Sequence, residues 1–242
     1  MSVVVLGGMI GVGKTTVATM LAHELGQPLY KESVADNKIL PLFYTASPQE
    51  QEKKRYSFLL QLEFLTLRFR DIKDALSFDH AVMDRSIYED WYFAKVNTDM
   101  GRISPEEFGI YERLLSEMMD ETHELPKKSP DLFVYLHASF DTITRHIRQR
   151  GRDFEQGEDL DDYFMRLWEG YDTWMDEDYH ASPVLWVNCD DRDFSQGTPD
   201  AHALATDVSQ ILSLIDAGKD PAHVHTQIGT LRSVTPQTRS AA

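Results

Sequence analysis

A glycine-rich run ending in lysine and threonine has the spacing of a polyphosphate-binding loop. It follows an apolar run at residues 3–6 and precedes a helical pattern. It matches G-x-x-x-x-G-K-[ST], in which glycines turn backbone N–H groups towards phosphates, the lysine reaches the outer phosphates and the hydroxyl ligates Mg²⁺. The residues expected to hold a nucleoside triphosphate are Gly8, Met9, Ile10, Gly11, Val12, Gly13, Lys14, Thr15 and Thr16. The alternative is a tight turn between strand and helix.

Two carboxylates, Glu32 and Asp84, each follow a further short apolar run, and Arg85 comes directly after Asp84. Ligands of open α/β sheets bind at the carboxyl ends of strands, so these side chains are expected near the phosphates. Glu32 could accept a proton from an attacking hydroxyl, and Asp84 could hold Mg²⁺ together with Thr15. Arg85 could reach the acceptor or a phosphate. A solvated glutamate and an ion pair at a strand end are the alternatives.

Four arginines fall close together in an otherwise acidic chain: Arg145, Arg148, Arg150 and Arg152. They lie at the end of a helical pattern and lead into an acidic, polar stretch. This arrangement indicates a lid, over about residues 148–160, that closes cations over the phosphates. Cations placed against a helix dipole are the alternative, and both interpretations can hold for different arginines.

The elements that must position these residues follow from the apolar patterning. Five near-continuous apolar runs predict a parallel sheet buried on both faces, at residues 3–6, 28–30, 81–83, 132–136 and 184–187. Helical spacing and capping residues predict helices at residues 14–25, 55–76, 104–125, 140–150, 163–179 and 201–215. This alternation predicts a five-stranded, doubly wound α/β fold over residues 1–215. Residues 216–242 are rich in small and turn-forming residues, which predicts a flexible tail.

Composition excludes several classes of partner. The formal net charge of −16 argues against binding a nucleic-acid polymer, since phosphate backbones need a basic surface. The single cysteine, Cys189, cannot form an intrachain disulfide and fits a reducing cytosol. The N-terminus has no basic region, so no signal peptide is expected, and no apolar run approaches membrane-spanning length. We therefore expect a cytoplasmic protein that acts on small molecules.

Several segments in sequence resemble the deoxyribonucleoside kinases, particularly the bacterial deoxyadenosine and deoxyguanosine kinase branch. They are GGMIGVGKTT, KESVADNKILPLFY, FLLQLEFLTLRFR, MDRSIYEDW, PDLFVYLHASFDTITRHIRQRGRDFE and VNCDDRDF, and they cover most of residues 3–194. The resemblance implies a P-loop fold that transfers phosphate from ATP, with Mg²⁺, to the 5′-hydroxyl of a deoxynucleoside. It also implies a homodimer.

The resemblance further implies roles for individual residues of the catalytic and donor sites. Lys14 belongs to the catalytic set, Glu32 is the general base that takes the proton from the 5′-hydroxyl, and Arg85 orients that base and the hydroxyl. The donor is gripped by two lid arginines and by a loop around its adenine. These donor-binding residues are Arg150, Arg152, Asp190, Asp193 and Phe194.

On the acceptor side, the resemblance places five more residues around the nucleoside. Gln61 pairs with the nucleobase edge, and Arg68 and Asp90 form the pair that distinguishes bases. Tyr44 and Glu155 hold the sugar 3′-hydroxyl. The spacing between Tyr44 and Gln61 is longer than the family pattern, because residues 46–54 look like a small insertion.

The base preference and two other activities remain open at this point. Gln61 beside an Arg68–Asp90 pair offers donors and acceptors that fit a purine, with deoxyadenosine first. These groups do not separate adenine from guanine and do not exclude cytosine. A nucleoside monophosphate kinase is the nearest alternative, and it would need extra cations for the acceptor phosphate. A nucleotide-dependent regulatory protein is more remote, since no D-x-x-G loop follows the strands.

Overall fold

A central sheet forms the core of the fold. The computed structural model describes residues 2–32, 34, 37–75, 80–121, 129–157 and 160–232. In these residues the strands are β1 (Ser2–Gly8), β2 (Leu29–Tyr30), β3 (His80–Asp84), β4 (Leu132–His137), β5 (Val184–Asn188) and β6 (Thr230–Arg232). Their order in the six-stranded sheet is β2-β3-β1-β4-β5-β6. The first five are the predicted strands and pair in parallel, which confirms the doubly wound α/β fold.

The helices connect and cover these strands. Within the described residues they are α1 (Lys14–Leu25), α2 (Leu40–Thr45), α3 (Pro48–Lys54), α4 (Tyr56–Ala75), α5 (Ile87–Asp99), α6 (Pro105–Glu121), α7 (Phe140–Arg150), α8 (Asp161–Glu177) and α9 (Pro199–Asp216). The six predicted helices correspond to α1, α4, α6, α7, α8 and α9. The end predicted for α6, residues 122–125, lies outside the described residues.

Helices α2, α3 and α5 were not predicted, although two of them carry a clear start signal in the sequence. Ser47 and Glu50 form a capping box at α3, and Ser86 and Glu89 form one at α5. Helix α3 is the insertion predicted at residues 46–54. Both α2 and α3 are shorter than three turns, so they offer too few positions for a periodic pattern to stand out.

The sheet places the carboxyl ends of three strands side by side. The register pairs Leu6 with Asp84 on one side of β1, and Gly8 with Leu136 on the other. The chain adds β2 and β3 on one side of β1 before adding β4 and β5 on the opposite side. This reversal of strand order opens a crevice at the carboxyl ends, where ligands of such folds bind.

The prediction of five strands is one strand short, because the described part of the predicted tail contains β6. Strand β6 pairs antiparallel with β5, which covers the edge of β5. The fully buried Asp207 of α9 accepts hydrogen bonds from the backbone N–H groups of Gln227 and Ile228, at 2.9 Å each. The Arg232 guanidinium lies 3.9 Å from the centre of the Trp186 ring. A buried carboxylate and strand pairing thus hold a segment of low hydrophobicity. Residues 233–242 of the predicted tail lie outside the described residues.

In the part of the chain that the structure describes, no helix combines the length and the apolar character needed to cross a membrane.

Candidate active site

The glycine-rich loop between β1 and α1 has the backbone geometry of a phosphate cradle. Gly8 and Gly11 have φ angles of 136° and 87°, which favour glycine. A Cβ atom at Gly11 would lie 2.7 Å from Ile147 of α7, so only glycine lets the loop approach this helix. The Lys14 Nζ group donates to the carbonyls of Gly8 and Met9, at 2.8 and 2.9 Å. Burial, and next the charge of Arg85, lower the pKa of Lys14 to about 7.

Thr15 and Asp84 form the part of the site that fits a magnesium ion. The Thr15 hydroxyl donates to Oδ2 of Asp84 at 2.5 Å, while Oδ1 of Asp84 is buried without a hydrogen-bond partner. Burial, and next the charge of Glu32, raise the pKa of Asp84. Mg²⁺ is usually held by one or two carboxylates with substrate phosphates and water, and an unpartnered carboxylate oxygen beside a hydroxyl suits that coordination.

Glu32 lies between two buried guanidinium groups. Arg68 donates to Oε1 of Glu32 at 3.0 Å, and Nε of Arg85 lies 2.9 Å from the same oxygen. Burial alone would raise the pKa of Glu32, but the charges of Arg85 and Arg68 outweigh it and bring the pKa to about 2. Glu32 is therefore a carboxylate at neutral pH, held in one orientation at the edge of the cleft.

Arg85 has unused hydrogen-bonding capacity at this position. Its backbone φ angle of 88° is unusual for a side chain of this size, and its N–H donates to the carbonyl of Leu6 at 2.8 Å. Its Nε and Nη1 atoms are buried without an aligned hydrogen bond, despite their proximity to carboxylates. These N–H groups are available to a hydroxyl or phosphate bound in the cleft.

Arg68 links the predicted base to the predicted specificity pair. Besides Glu32, it donates to Oδ2 of Asp90 at 3.3 Å and to the Asp84 carbonyl at 3.2 Å. Burial raises the pKa of Asp90 to about 6 against the opposing charge of Arg68. Gln61, only 2% exposed, lines the same cleft as Asp90. Donors and acceptors thus meet where a flat base could be recognised.

The raised pKa of Asp90 predicts a specific pH dependence of stability. Between its ordinary value of 3.8 and about 6, the folded protein holds a proton on Asp90 that the unfolded chain has lost. The contribution of Asp90 to the free energy of unfolding therefore falls as pH rises through this window, by ~1–3 kcal/mol. We expect Asp90→Asn to lack this fall. Chemical denaturation of both proteins at pH 4 and pH 7 measures it, and parallel changes in both would contradict the assignment.

A cleft of about 760 Å³ brings together most of the residues predicted to bind the donor and the acceptor. Sequence-predicted residues that line it are Ile10, Gly11, Val12, Gly13, Lys14, Thr15, Thr16, Glu32, Tyr44, Gln61, Asp84, Arg85, Asp90, Arg150, Arg152, Glu155, Asp193 and Phe194. Gly8, Met9, Arg68 and Asp190 are not among the lining residues. Arg68 donates hydrogen bonds to the lining residues Glu32 and Asp90. The carbonyls of Gly8 and Met9 accept hydrogen bonds from the Lys14 ammonium group.

The predicted lid arginines and Glu155 form one ion cluster. Arg150 and Arg152 donate to the two carboxylate oxygens of Glu155, at 2.5 and 3.2 Å. Tyr44 lies on the same side of the cleft, and its ring stacks on Phe154 with 5.7 Å between centres. Glu155 thus fixes both arginines beside the residues predicted to meet the sugar. Residues 158 and 159 of the predicted lid lie outside the described residues.

The predicted adenine loop is held by its own polar side chains. Asp190 accepts from the backbone N–H and the hydroxyl of Ser139, at 2.9 and 2.8 Å. Asp193 accepts from the backbone N–H of Ser195 at 2.8 Å. The side chain of Ser195, and next its backbone N–H, lower the pKa of Asp193. Phe194 is buried and lines the cleft. Asp190 therefore supports the loop, while Asp193 and Phe194 reach the cleft.

Glu89 and His146 are among the residues of the site that were not predicted from the sequence. Glu89 is fully buried and accepts a hydrogen bond from the backbone N–H of Gly8 at 2.8 Å. Its spacing from Ser86 is that of a capping box, a signal that was present in the sequence but points only to a helix start. His146 of α7 lies in the cleft, with Nδ1 at 2.9 Å from the carbonyl of Gly11. No spacing signal in the chain indicates that contact.

Proteins of similar sequence identify the family of this chain. The sequence pattern of the deoxynucleoside kinase family matches residues 4–213. A deoxyguanosine kinase of Lactobacillus johnsonii is 42% identical over 222 residues, which is 90% of this chain and 95% of the relative. A deoxyadenosine kinase of Lactobacillus acidophilus is 43% identical over 195 residues, covering 79% and 87% of the two chains.

The fold is also that of a solved relative. A structure of deoxyadenosine kinase from M. mycoides with bound dATP superposes with a TM-score of 0.66 at 24% identity, covering 89% of this chain and 98% of that one. The match of the family pattern spans both halves of the cleft, from the phosphate loop to the adenine loop. The chain therefore belongs to the deoxynucleoside kinase family.

Proposed function

We propose that this kinase transfers the γ-phosphoryl group of ATP to the 5′-hydroxyl of a purine deoxynucleoside, with deoxyadenosine as the first expected acceptor. The observation that carries the proposal is Glu32, a carboxylate fixed by Arg68 and Arg85 in the same cleft as the phosphate loop. A hydroxyl placed beside Glu32 can lose its proton to that carboxylate while it attacks a phosphorus atom held by the loop.

The low pKa of Glu32 is compatible with this role. Phosphoryl transfer passes through a loose transition state, so the acceptor hydroxyl keeps most of its proton until bonding to phosphorus is advanced. A weak base in the right place is then sufficient, and positioning contributes more than basicity. The unused N–H groups of Arg85 and the Lys14 ammonium stabilise the charge that spreads over the transferred group.

We also propose that Thr15 and Asp84 hold a magnesium ion. When bound, Mg²⁺ would neutralise charge on the β- and γ-phosphates. The support is the donor set itself: the Thr15 hydroxyl and a buried, unpartnered oxygen of Asp84 at the mouth of the phosphate loop. Lys14, Arg150 and Arg152 supply further positive charge along the cleft. We propose that the lid closes over ATP.

The acceptor side favours a nucleoside over a nucleoside monophosphate. A second phosphate would need free cations, but Arg68 is shared between Glu32 and Asp90, and Arg85 lies between Glu32 and Glu89. These carboxylates already neutralise the positive charge of Arg68 and Arg85, which an acceptor phosphate would need. The relatives named above act on deoxyguanosine and deoxyadenosine, which supports a purine, and Gln61 can pair with a purine edge.

A steady-state screen tests this proposal. The acceptors are deoxyadenosine, deoxyguanosine, deoxycytidine, thymidine, dAMP and dTMP, each with ATP and Mg²⁺. We expect the highest kcat/KM for deoxyadenosine, and values at least ~10-fold lower for the two pyrimidine nucleosides. Faster phosphorylation of dAMP or dTMP would establish the monophosphate kinase instead. Turnover of none of the nucleosides would remove the proposal.

We further propose a homodimer in the cytoplasm. Helices α4 and α6 expose Leu59, Ile110 and Leu114, which are 40%, 50% and 42% exposed, next to a small apolar cluster between α4, α5 and α6. A paired copy would cover these side chains. The free, buried Cys189 is compatible with a reducing compartment. Sedimentation at micromolar concentration is expected to give a dimer, and a monomer there would contradict the assembly.

A further inference from the structure

Glu89 of α5 is a buried carboxylate on which three parts of the site meet. Its side chain is 0% exposed. Oε1 accepts from the backbone N–H of Gly8 at 2.8 Å and from the Tyr171 hydroxyl of α8. Oε2 accepts from the backbone N–H of Ser86 at 2.9 Å, and Nη1 of Arg85 lies 3.7 Å from Oε1. An ionised carboxylate is costly to bury, so this many partners point to a role that an apolar residue could not fill.

The contacts of Glu89 exceed what a helix cap requires. A capping box needs only the bond from Ser86, which is local. Gly8 is 81 positions away and opens the phosphate loop. The φ angle of 136° at Gly8, and the carbonyl of Leu136 at 2.2 Å from where a Cβ would lie, leave room only for glycine there. One side chain therefore joins the start of the donor loop to the segment that carries Asp84 and Arg85.

The charge of Glu89 matters most at the moment of transfer. Arg85 has two carboxylates near its guanidinium among the described residues, Glu32 at 2.9 Å and Glu89 at 3.7 Å. If Glu32 takes up the proton of the acceptor hydroxyl, it becomes neutral and its attraction for Arg85 weakens. Glu89 then remains as the negative group that keeps the guanidinium from moving.

We propose that Glu89 is a positioning residue for phosphoryl transfer: it fixes the first glycine of the phosphate loop and the Arg85 guanidinium relative to each other. The part of the proposal that concerns Arg85 rests on the proposed function. The part that concerns Gly8 depends only on nucleotide binding.

Glu89→Gln tests the link to Arg85. Both carboxylate oxygens of Glu89 accept from N–H groups, so a carboxamide turned either way brings its own NH₂ against a donor. We expect kcat to fall ~10- to 100-fold while the nucleoside KM changes less than ~3-fold, because Gln61 and the base pocket are untouched. In a cycle with Arg85→Lys, the double variant should be about as slow as the slower single variant. Losses that multiply, or an unchanged kcat, would overturn the proposal.

A matched pair of tyrosine variants separates positioning from general loss of packing. Tyr171→Phe removes a hydroxyl that donates to Glu89, and Tyr135→Phe removes one that donates to Asp172 at 2.6 Å. Both phenols are buried, at 1% and 2% exposed, so the structural cost is similar. We expect kcat to fall ~3- to 10-fold for Tyr171→Phe and to stay unchanged for Tyr135→Phe, at comparable Tm. Equal effects on kcat would count against the assignment, even if Glu89→Gln fails to fold.

The affinity for ADP tests the contact between Glu89 and Gly8 without any acceptor present. We expect Glu89→Gln to weaken ADP affinity ~3- to 10-fold by calorimetry, and Tyr135→Phe to leave it unchanged. If the wild-type protein phosphorylates no nucleoside, the proposed function fails, while this measurement still decides whether Glu89 positions the loop. Unchanged ADP affinity in Glu89→Gln would overturn that part.

Discussion

Replacing Glu32 by glutamine is expected to lower kcat by ~10²- to 10⁴-fold and to leave the KM for ATP within ~3-fold of its original value. Glutamine keeps the size of the side chain and can still accept a hydrogen bond from Arg68, but it cannot take up a proton. The phosphate loop does not contact Glu32 by any hydrogen bond in the described residues, so donor binding should survive.

The same substitution should also reveal the charge balance of the site. In the variant, Arg68 still pairs with Asp90, and Arg85 still has Glu89 beside it. The loss in the free energy of unfolding should therefore be smaller than the ~3–5 kcal/mol of a fully broken buried ion pair. Because the pKa of Glu32 is lowered from 4.5 to about 2, its stabilising charge is present above pH 4.5 and is lost as pH falls towards 2. The stability difference between wild type and variant should narrow over that range.

The control for Glu32→Gln is Glu52→Gln on α3. This change removes the same charge from an exposed position, and we expect no effect on kcat. Near-normal turnover of Glu32→Gln would remove Glu32 as the base. A loss of activity accompanied by a comparable loss of ADP binding would instead indicate that the cleft had collapsed.

The sheet and the phosphate loop could be predicted from the sequence because both depend on local pattern. The five parallel strands are short apolar runs, and the helix after the loop runs from Lys14 to Leu25 as its spacing and the following Gly26 predict. Strand β6 could not be found in this way. Its partly exposed residues carry little hydrophobic pattern, and its place depends on Asp207, a buried carboxylate of α9.

The sequence pointed to many of the residues that meet in the cleft, but not to the contacts between them. Glu32 and Arg68 are 36 positions apart, and no spacing in the chain indicates that one guanidinium serves both Glu32 and Asp90. Likewise, Glu89 fits a local helix start, and only the fold brings Gly8 to its carboxylate. Sequence patterns identify residue types that suit a chemistry, whereas the distances that make them act together arise from tertiary packing.

Asp84→Asn is expected to change activity and stability in opposite directions. Loss of the carboxylate charge should lower kcat by ~100-fold or more and raise the Mg²⁺ concentration needed for half-maximal rate, since a neutral amide is a poorer ligand for a hard cation. Burial raises the pKa of Asp84, which means that the folded protein disfavours its ionised form more than the unfolded chain does. Removing that charge should therefore leave Tm equal or higher.

Because kcat should fall while Tm does not, the metal assignment can be distinguished from a general destabilisation of the fold. Thr15 can reverse its hydrogen bond and accept from the amide, so the local packing should persist in Asp84→Asn. Asp99→Asn provides the control, because it removes the same charge from a side chain that is 60% exposed. Titration of the rate with Mg²⁺ and thermal unfolding without nucleotide give the two readouts. An unchanged Mg²⁺ requirement would exclude Asp84 as a ligand. A lowered Tm would contradict the expectation that the buried charge of Asp84 destabilises the folded protein.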